Sequence, residues 1–142
     1  MASEKKVLGD FGESKAVEFL VSKGYRIVKR NYSCRLGEID IIARKDSFIV
    51  FAEVKLRKSD YYGSAAEFVT ASKQSRIIKT ARFWLASHYD DLQPRFDVIE
   101  VYAPNGESDS QTFFFHVVSL LYLSIFFSIL SSPRMTVVRF SA

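Results

Sequence analysis

Polar and apolar positions are most tightly patterned in residues 37–55, GEIDIIARKDSFIVFAEVK. Two strand-like runs are joined there by the polar pair Asp46-Ser47. Residues two apart on a strand project from one face, so Glu38 and Asp40 belong together on the first run, Glu53 and Lys55 on the second. A tight turn centred on Asp46-Ser47 places Asp40 opposite Glu53 and Glu38 opposite Lys55. Upstream, residues 10–23 have helical spacing: Ala16, Val17 and Leu20 cluster, with Glu13 among them. Gly24 is the expected helix stop, and residues 25–31 (YRIVKRN) follow as a strand.

Downstream, residues 56–66 are expected to form a loop. Thr70 suits the N-cap of a second helix running to about His88. Ile77, Ile78, Ala81, Trp84 and Leu85 fall on one arc of that helix, while Lys73, Arg76, Lys79 and Arg82 spread over the opposite arc. The first arc should pack on the sheet and the basic arc should face solvent or phosphates. Pro94 breaks the chain, residues 95–102 (RFDVIEVY) alternate as a strand, Asn105-Gly106 marks a turn, and residues 112–118 (TFFFHVV) return as a partner strand. The order is α-β-β-β-α-β-β, a mixed central sheet flanked by helices, α/β or α+β in class.

The 142 residues suffice for one domain with a real core, and 48% apolar content excludes wholesale disorder. The single cysteine, Cys34, forms no internal disulfide, and the opening MASEKKVLGD has no apolar core of a secretory signal, so a cytoplasmic protein is expected. The net charge of +4 is unevenly spread. Ten basic residues lie between Lys23 and Lys58 against four acids, three of which are Glu38, Asp40 and Glu53. A basic surface around an acidic spot suits a polyanionic substrate held at a metal; a solvated charged surface also accounts for it.

Acids on apolar strands are costly to bury without partners. Cross-strand salt bridges, Glu38–Lys55 foremost, explain part of the patch. They leave Asp40 opposite Glu53, and like charges directly opposite destabilise a hairpin. A cation between them resolves the conflict, and Mg²⁺ or Mn²⁺ held by Asp40 and Glu53 is the expected cofactor. Lys55 would stabilise charge on a phosphoryl group. Glu13 has two readings: a capping-box acid following Asp10, or a further member of the patch.

Residues 113–130 (FFFHVVSLLYLSIFFSIL) form the chain's anomaly. They meet the lower length bound for a membrane span, but serines, a histidine and the flanking Arg134 and Arg139 argue against one. A core strand followed by an apolar packing helix is the other reading.

Asp40 followed by Glu53-Val54-Lys55 resembles the PD-(D/E)xK nuclease core. Gly12-Glu13, Gly24-Tyr25, Arg30-Asn31, Gly37-Glu38-Ile39-Asp40, Phe51-Ala52-Glu53-Val54-Lys55, Val69-Thr70, Lys73-Gln74 and Ala81-Arg82-Phe83-Trp84-Leu85 resemble the YraN-like family of small bacterial proteins, over about Leu8 to Val101. That family is similar in fold to Holliday-junction resolvases and type II restriction endonucleases. The resemblance implies a restriction-endonuclease-like domain over residues 1–112, with an atypical apolar tail over 113–142. It implies a nuclease-type site of Glu13, Asp40, Glu53 and Lys55, with Gln74 added from the second helix. Arg57, Lys58, Lys73, Arg76 and Lys79 are the expected nucleic-acid contacts. The expected activity is Mg²⁺-dependent endonucleolytic hydrolysis of structured, branched DNA, with a homodimer supplying two sites. A binding module without cleavage, serving DNA processing or uptake, is the alternative.

Overall fold

In a computed structural model, the two patterned runs form a hairpin at the heart of a five-stranded sheet. The structure describes residues 4–57, 70–88, 91–103 and 114–120. The elements are α1 (Glu4–Ser22), β1 (Arg26–Cys34), β2 (Gly37–Lys45), β3 (Phe48–Arg57), α2 (Ala71–Ser87), β4 (Gln93–Tyr102) and β5 (Phe114–Leu120). This is the expected α-β-β-β-α-β-β order, in a mixed α+β fold of restriction-endonuclease-like character. The strands lie in sequence order across the sheet; β1, β2 and β3 are antiparallel neighbours, β3 and β4 are parallel, and β5 returns antiparallel to β4. A parallel pair needs a crossover, and α2 lies in the connection between β3 and β4.

The hairpin register is the one the polar pair predicts. Lys45 pairs with Phe48 and Ile41 with Ala52 around Asp46-Ser47, and Asp46 adopts the left-handed backbone (φ 51°) that aspartate tolerates in a turn. Gly24 ends α1 in a left-handed C′ position (φ 84°). Tyr25 N donates to Leu20 O and Gly24 N to Val21 O, the paired bonds of a Schellman motif.

Among the described residues, each sheet face carries one helix. On the first, Ala16 and Leu20 of α1 meet Ile41, Ala43, Val50, Ala52, Ile99 and Val101. Gly12 lets α1 close on β3, since a Cβ there would lie 3.2 Å from Leu56 Cβ. On the second face, Ala81 and Trp84 of α2 meet Ile39, Ile42, Ile49, Phe51 and Phe96, with Ile77, Ile78 and Leu85 packed alongside, as the helical arc predicts.

Three expectations are corrected. α1 begins at Glu4 rather than near Asp10, because nothing in residues 4–9 stops a helix and Gly9 only weakens it. Asp10 is therefore no N-cap, and the capping reading of Glu13 falls with it. β3 runs on through Leu56 and Arg57, which the sequence assigned to a loop; the rest of that stretch, with Lys58, lies outside the described residues. β4 starts at Gln93, so Pro94 sits inside a strand; β5 pairs only from Phe96 onward. Residues 114–120 of the apolar stretch form the partner strand expected at its start, and Phe115 stacks on Phe19 at 4.3 Å. Among the described residues no helix is long and apolar enough to cross a membrane.

Candidate metal and nucleic-acid site

The site lies where β2 leaves the regular ladder. Strand alternation would put Ile39 and Ile41 on one face, yet Ile39 packs on the α2 side and Ile41 on the α1 side. The chain turns over at Asp40. The β2–β3 pairing stops at Ile41–Ala52, and Asp40 Oδ2 accepts a hydrogen bond from Val54 N at 2.7 Å. The aspartate is thereby fixed beside the Glu53-Val54-Lys55 segment. Burial, and then the neighbouring Glu53 charge, push its carboxyl up to about 6, against a partial offset from the Val54 hydrogen bond.

Glu53 is buried on the α2 face of β3. Its Oε1 accepts from Lys55 Nζ at 2.7 Å and also from Lys73 Nζ of α2. This corrects two expectations. Lys55 takes Glu53, its neighbour two residues back on the same face, rather than Glu38 across the hairpin, because the ladder ends before Glu38 and Lys55 can be brought opposite. Lys73 turns inward, although its arc was expected to face out. Burial disfavours its charge, but the contacts with Glu53 outweigh that and hold its pKa above the ordinary lysine value. Thr70 sets the position of this first turn, its side chain accepting from Lys73 N at 3.3 Å.

Glu13 joins from α1. Its charge bears on Asp40, its Oε2 is buried and finds no hydrogen-bond partner, and burial raises its pKa while a hydrogen bond from Asn31 partly offsets the rise. Asn31, of the Arg30-Asn31 motif, adopts a left-handed backbone there (φ 49°), which asparagine tolerates better than most residues.

A cleft of about 380 Å³ opens over Glu53, lined also by Gly37, Glu38, Lys73 and Arg76. Gly37 admits α2 there, since a Cβ at its φ of 149° would come within 2.9 Å of Arg76 Cγ and Thr80 Oγ1. Arg76 and Lys79 are exposed, and Gln74 is half-buried one residue beyond Lys73. Arg57 instead lies beside buried Glu100, Nε to Oε1 3.4 Å. Glu100 escaped the sequence reading; its ladder partner is Lys55, so it extends the charged layer across to β4.

Among the described residues, no three His, Cys, Asp or Glu side chains are arranged as a metal cage. Mg²⁺ does not require one: it keeps several waters and is commonly held by one or two carboxylates plus substrate phosphate. Asp40 and Glu53, with the orphaned Glu13 oxygen beside them, suit that mode.

The strand order, the α2 crossover and the convergence of Asp40, Glu53 and Lys55 at one end of the parallel strands define a restriction-endonuclease-like domain. The chain belongs to the uncharacterised protein family UPF0102, whose model matches residues 12–101; this is the YraN-like family that the motifs resemble. It is 50% identical over 99 residues to a UPF0102 protein of Caldicellulosiruptor bescii, covering 68% of this chain and 83% of the relative. A UPF0102 protein of Nitrosomonas europaea is 47% identical over 91 residues, 64% of this chain and 77% of that one.

Proposed function

We propose that this protein is a divalent-cation-dependent endonuclease acting on structured DNA. One observation carries the reading: the fold brings Asp40, Glu53 and Lys55 from two strands to one partly buried cluster with Glu13 at its edge. The cluster underlies a cleft with basic residues at its rim. Asp40 and Glu53 would hold the cation. When bound, Mg²⁺ or Mn²⁺ supplies Lewis-acid polarisation of a phosphoryl group and activation of a water nucleophile. Lys55, fixed beside Glu53, offers an ammonium to charge developing on the phosphoryl oxygens. Arg76 and Lys79 offer contacts to flanking phosphates.

The test is cleavage of linear, nicked, flapped and branched DNA with Mg²⁺ or Mn²⁺. Asp40→Ala and Glu53→Ala are expected to lower the rate by about a hundredfold or more, on the scale that disturbing metal shells produces. Equal cleavage by parent and variants overturns the assignment.

A second reading, binding without cleavage, is favoured by the two lysines that already neutralise Glu53. It predicts salt-sensitive DNA binding that needs no metal and survives Lys55→Ala.

A further inference from the structure

The first turn of α2 contributes a group that the chemistry above leaves idle. Lys73 Nζ shares Glu53 Oε1 with Lys55 Nζ. Two ammonium groups on one oxygen repel each other, so they stay together only where negative charge is in excess. Glu53, Asp40 and Glu13 supply it, since both other carboxylates act electrostatically within this cluster. In formal charge, three carboxylates face two ammoniums. A divalent cation entering the cluster would reverse the sign of the total, and one ammonium would then be driven out. Lys55 is rooted on β3 two residues from Glu53. Lys73 hangs from the helix end, its side chain 38% exposed against 31% for Lys55. It also lines the cleft, which gives a long unbranched stem room to swing.

We propose that Lys73 is the resident counter-cation of Glu53. It occupies the carboxylate until a divalent cation displaces it, and the displaced ammonium turns into the cleft, where a substrate phosphate would meet it. Cation entry and substrate grip are thereby linked through one side chain. This rests on Asp40 and Glu53 being the cation-binding carboxylates.

Two measurements test it without recourse to activity. The first is calorimetric titration of the protein with Mn²⁺. Lys73→Met is expected to bind Mn²⁺ about tenfold more tightly than the parent, because a competing charge is gone. Lys73→Arg, which keeps the charge, is expected to stay within about twofold of the parent. Equal or weaker binding by Lys73→Met, with Asp40→Asn still weakening it, overturns the role of Lys73 and leaves the cation site standing. No Mn²⁺ binding by either parent or Lys73→Met overturns both. The second measurement needs no variant: amine-selective labelling of Lys73, read by mass spectrometry, is expected to rise several-fold when Mn²⁺ is added. Unchanged labelling in Mn²⁺-bound protein overturns the displacement.

Discussion

Two buried acids on the paired strands β3 and β4 are served by basic side chains in opposite ways. Asp97, whose ladder partner is Ala52 on the α1 side, meets the guanidinium of Arg95 with both oxygens, Nε to Oδ1 at 3.0 Å and Nη2 to Oδ2 at 2.7 Å. Arg95 continues to Tyr25 Oη at 2.7 Å and lies over the Tyr25 and Phe48 rings. One charge answers one charge, and each carboxylate oxygen has its own donor. Glu53, on the α2 side, draws two ammoniums to a single oxygen while Asp40 and Glu13 stand by with raised pKa values. The first arrangement is closed. The second is lopsided, with carboxylate oxygens still available and charges that a newcomer could rearrange. Perturbed acids gathered beside a cleft mark a candidate functional site; a matched fork is the pattern of a structural ion pair.

The comparison breaks most readily on stability. Removing one partner of a closed buried pair strands the other, so Asp97→Asn is expected to cost about 3–5 kcal/mol in urea unfolding at neutral pH. Glu53→Gln keeps an acceptor and leaves two partly exposed lysines that water can resolvate, so it is expected to cost less than about 2 kcal/mol. Equal losses would show that Glu53 is as structural as Asp97.

Next in size is a pH effect confined to the open cluster. The fold holds Asp40 at about 6 against an ordinary value of 3.8, so it favours the protonated form. The stability this contributes is complete below the unfolded value and is lost as pH rises through about 6, at most about 3 kcal/mol in all. In the presence of a chelator, Asp40→Asn should match the parent near pH 4 and exceed it progressively toward pH 8. A constant difference across that range in parallel denaturant titrations would place Asp40 with Asp97 among the structural acids.

The sequence made one half of this contrast legible and hid the other. The Asp46-Ser47 turn fixed the hairpin register, and with it the meeting of Asp40 and Glu53. Periodicity found the buried arc of α2, and Thr70 announced its start. What failed was side-chain choice at the limits of regular structure. A register rule assumes that the ladder continues; here it ends at Ala52, and Lys55 finds Glu53 on its own strand. A helical arc is likewise an average. Lys73 sits in the first turn, near the sheet's charged end, and bends inward where Lys79 and Arg82 do not. The closed pair had its own signal, since Arg95 and Asp97 are two apart on one strand. The alternation of residues 95–102 marks a strand but does not say which of its charges are buried.

The smallest expected effect sharpens the comparison where the cluster depends on backbone rather than charge. Thr70 accepts from the amide of Lys73 itself, so the cap of α2 also anchors the residue whose ammonium reaches Glu53. Thr70→Ala should cost about 1 kcal/mol, the usual worth of an N-cap, and Thr70→Ser should recover most of it. The loss should be local: amide exchange at Lys73 and Gln74 speeds up, while the amides of Asp97 and Val98 in β4 keep their protection. If exchange quickens equally on both sides, the first turn of α2 is locked to the sheet core. Lys73 would then have no more freedom to move than Arg95 has.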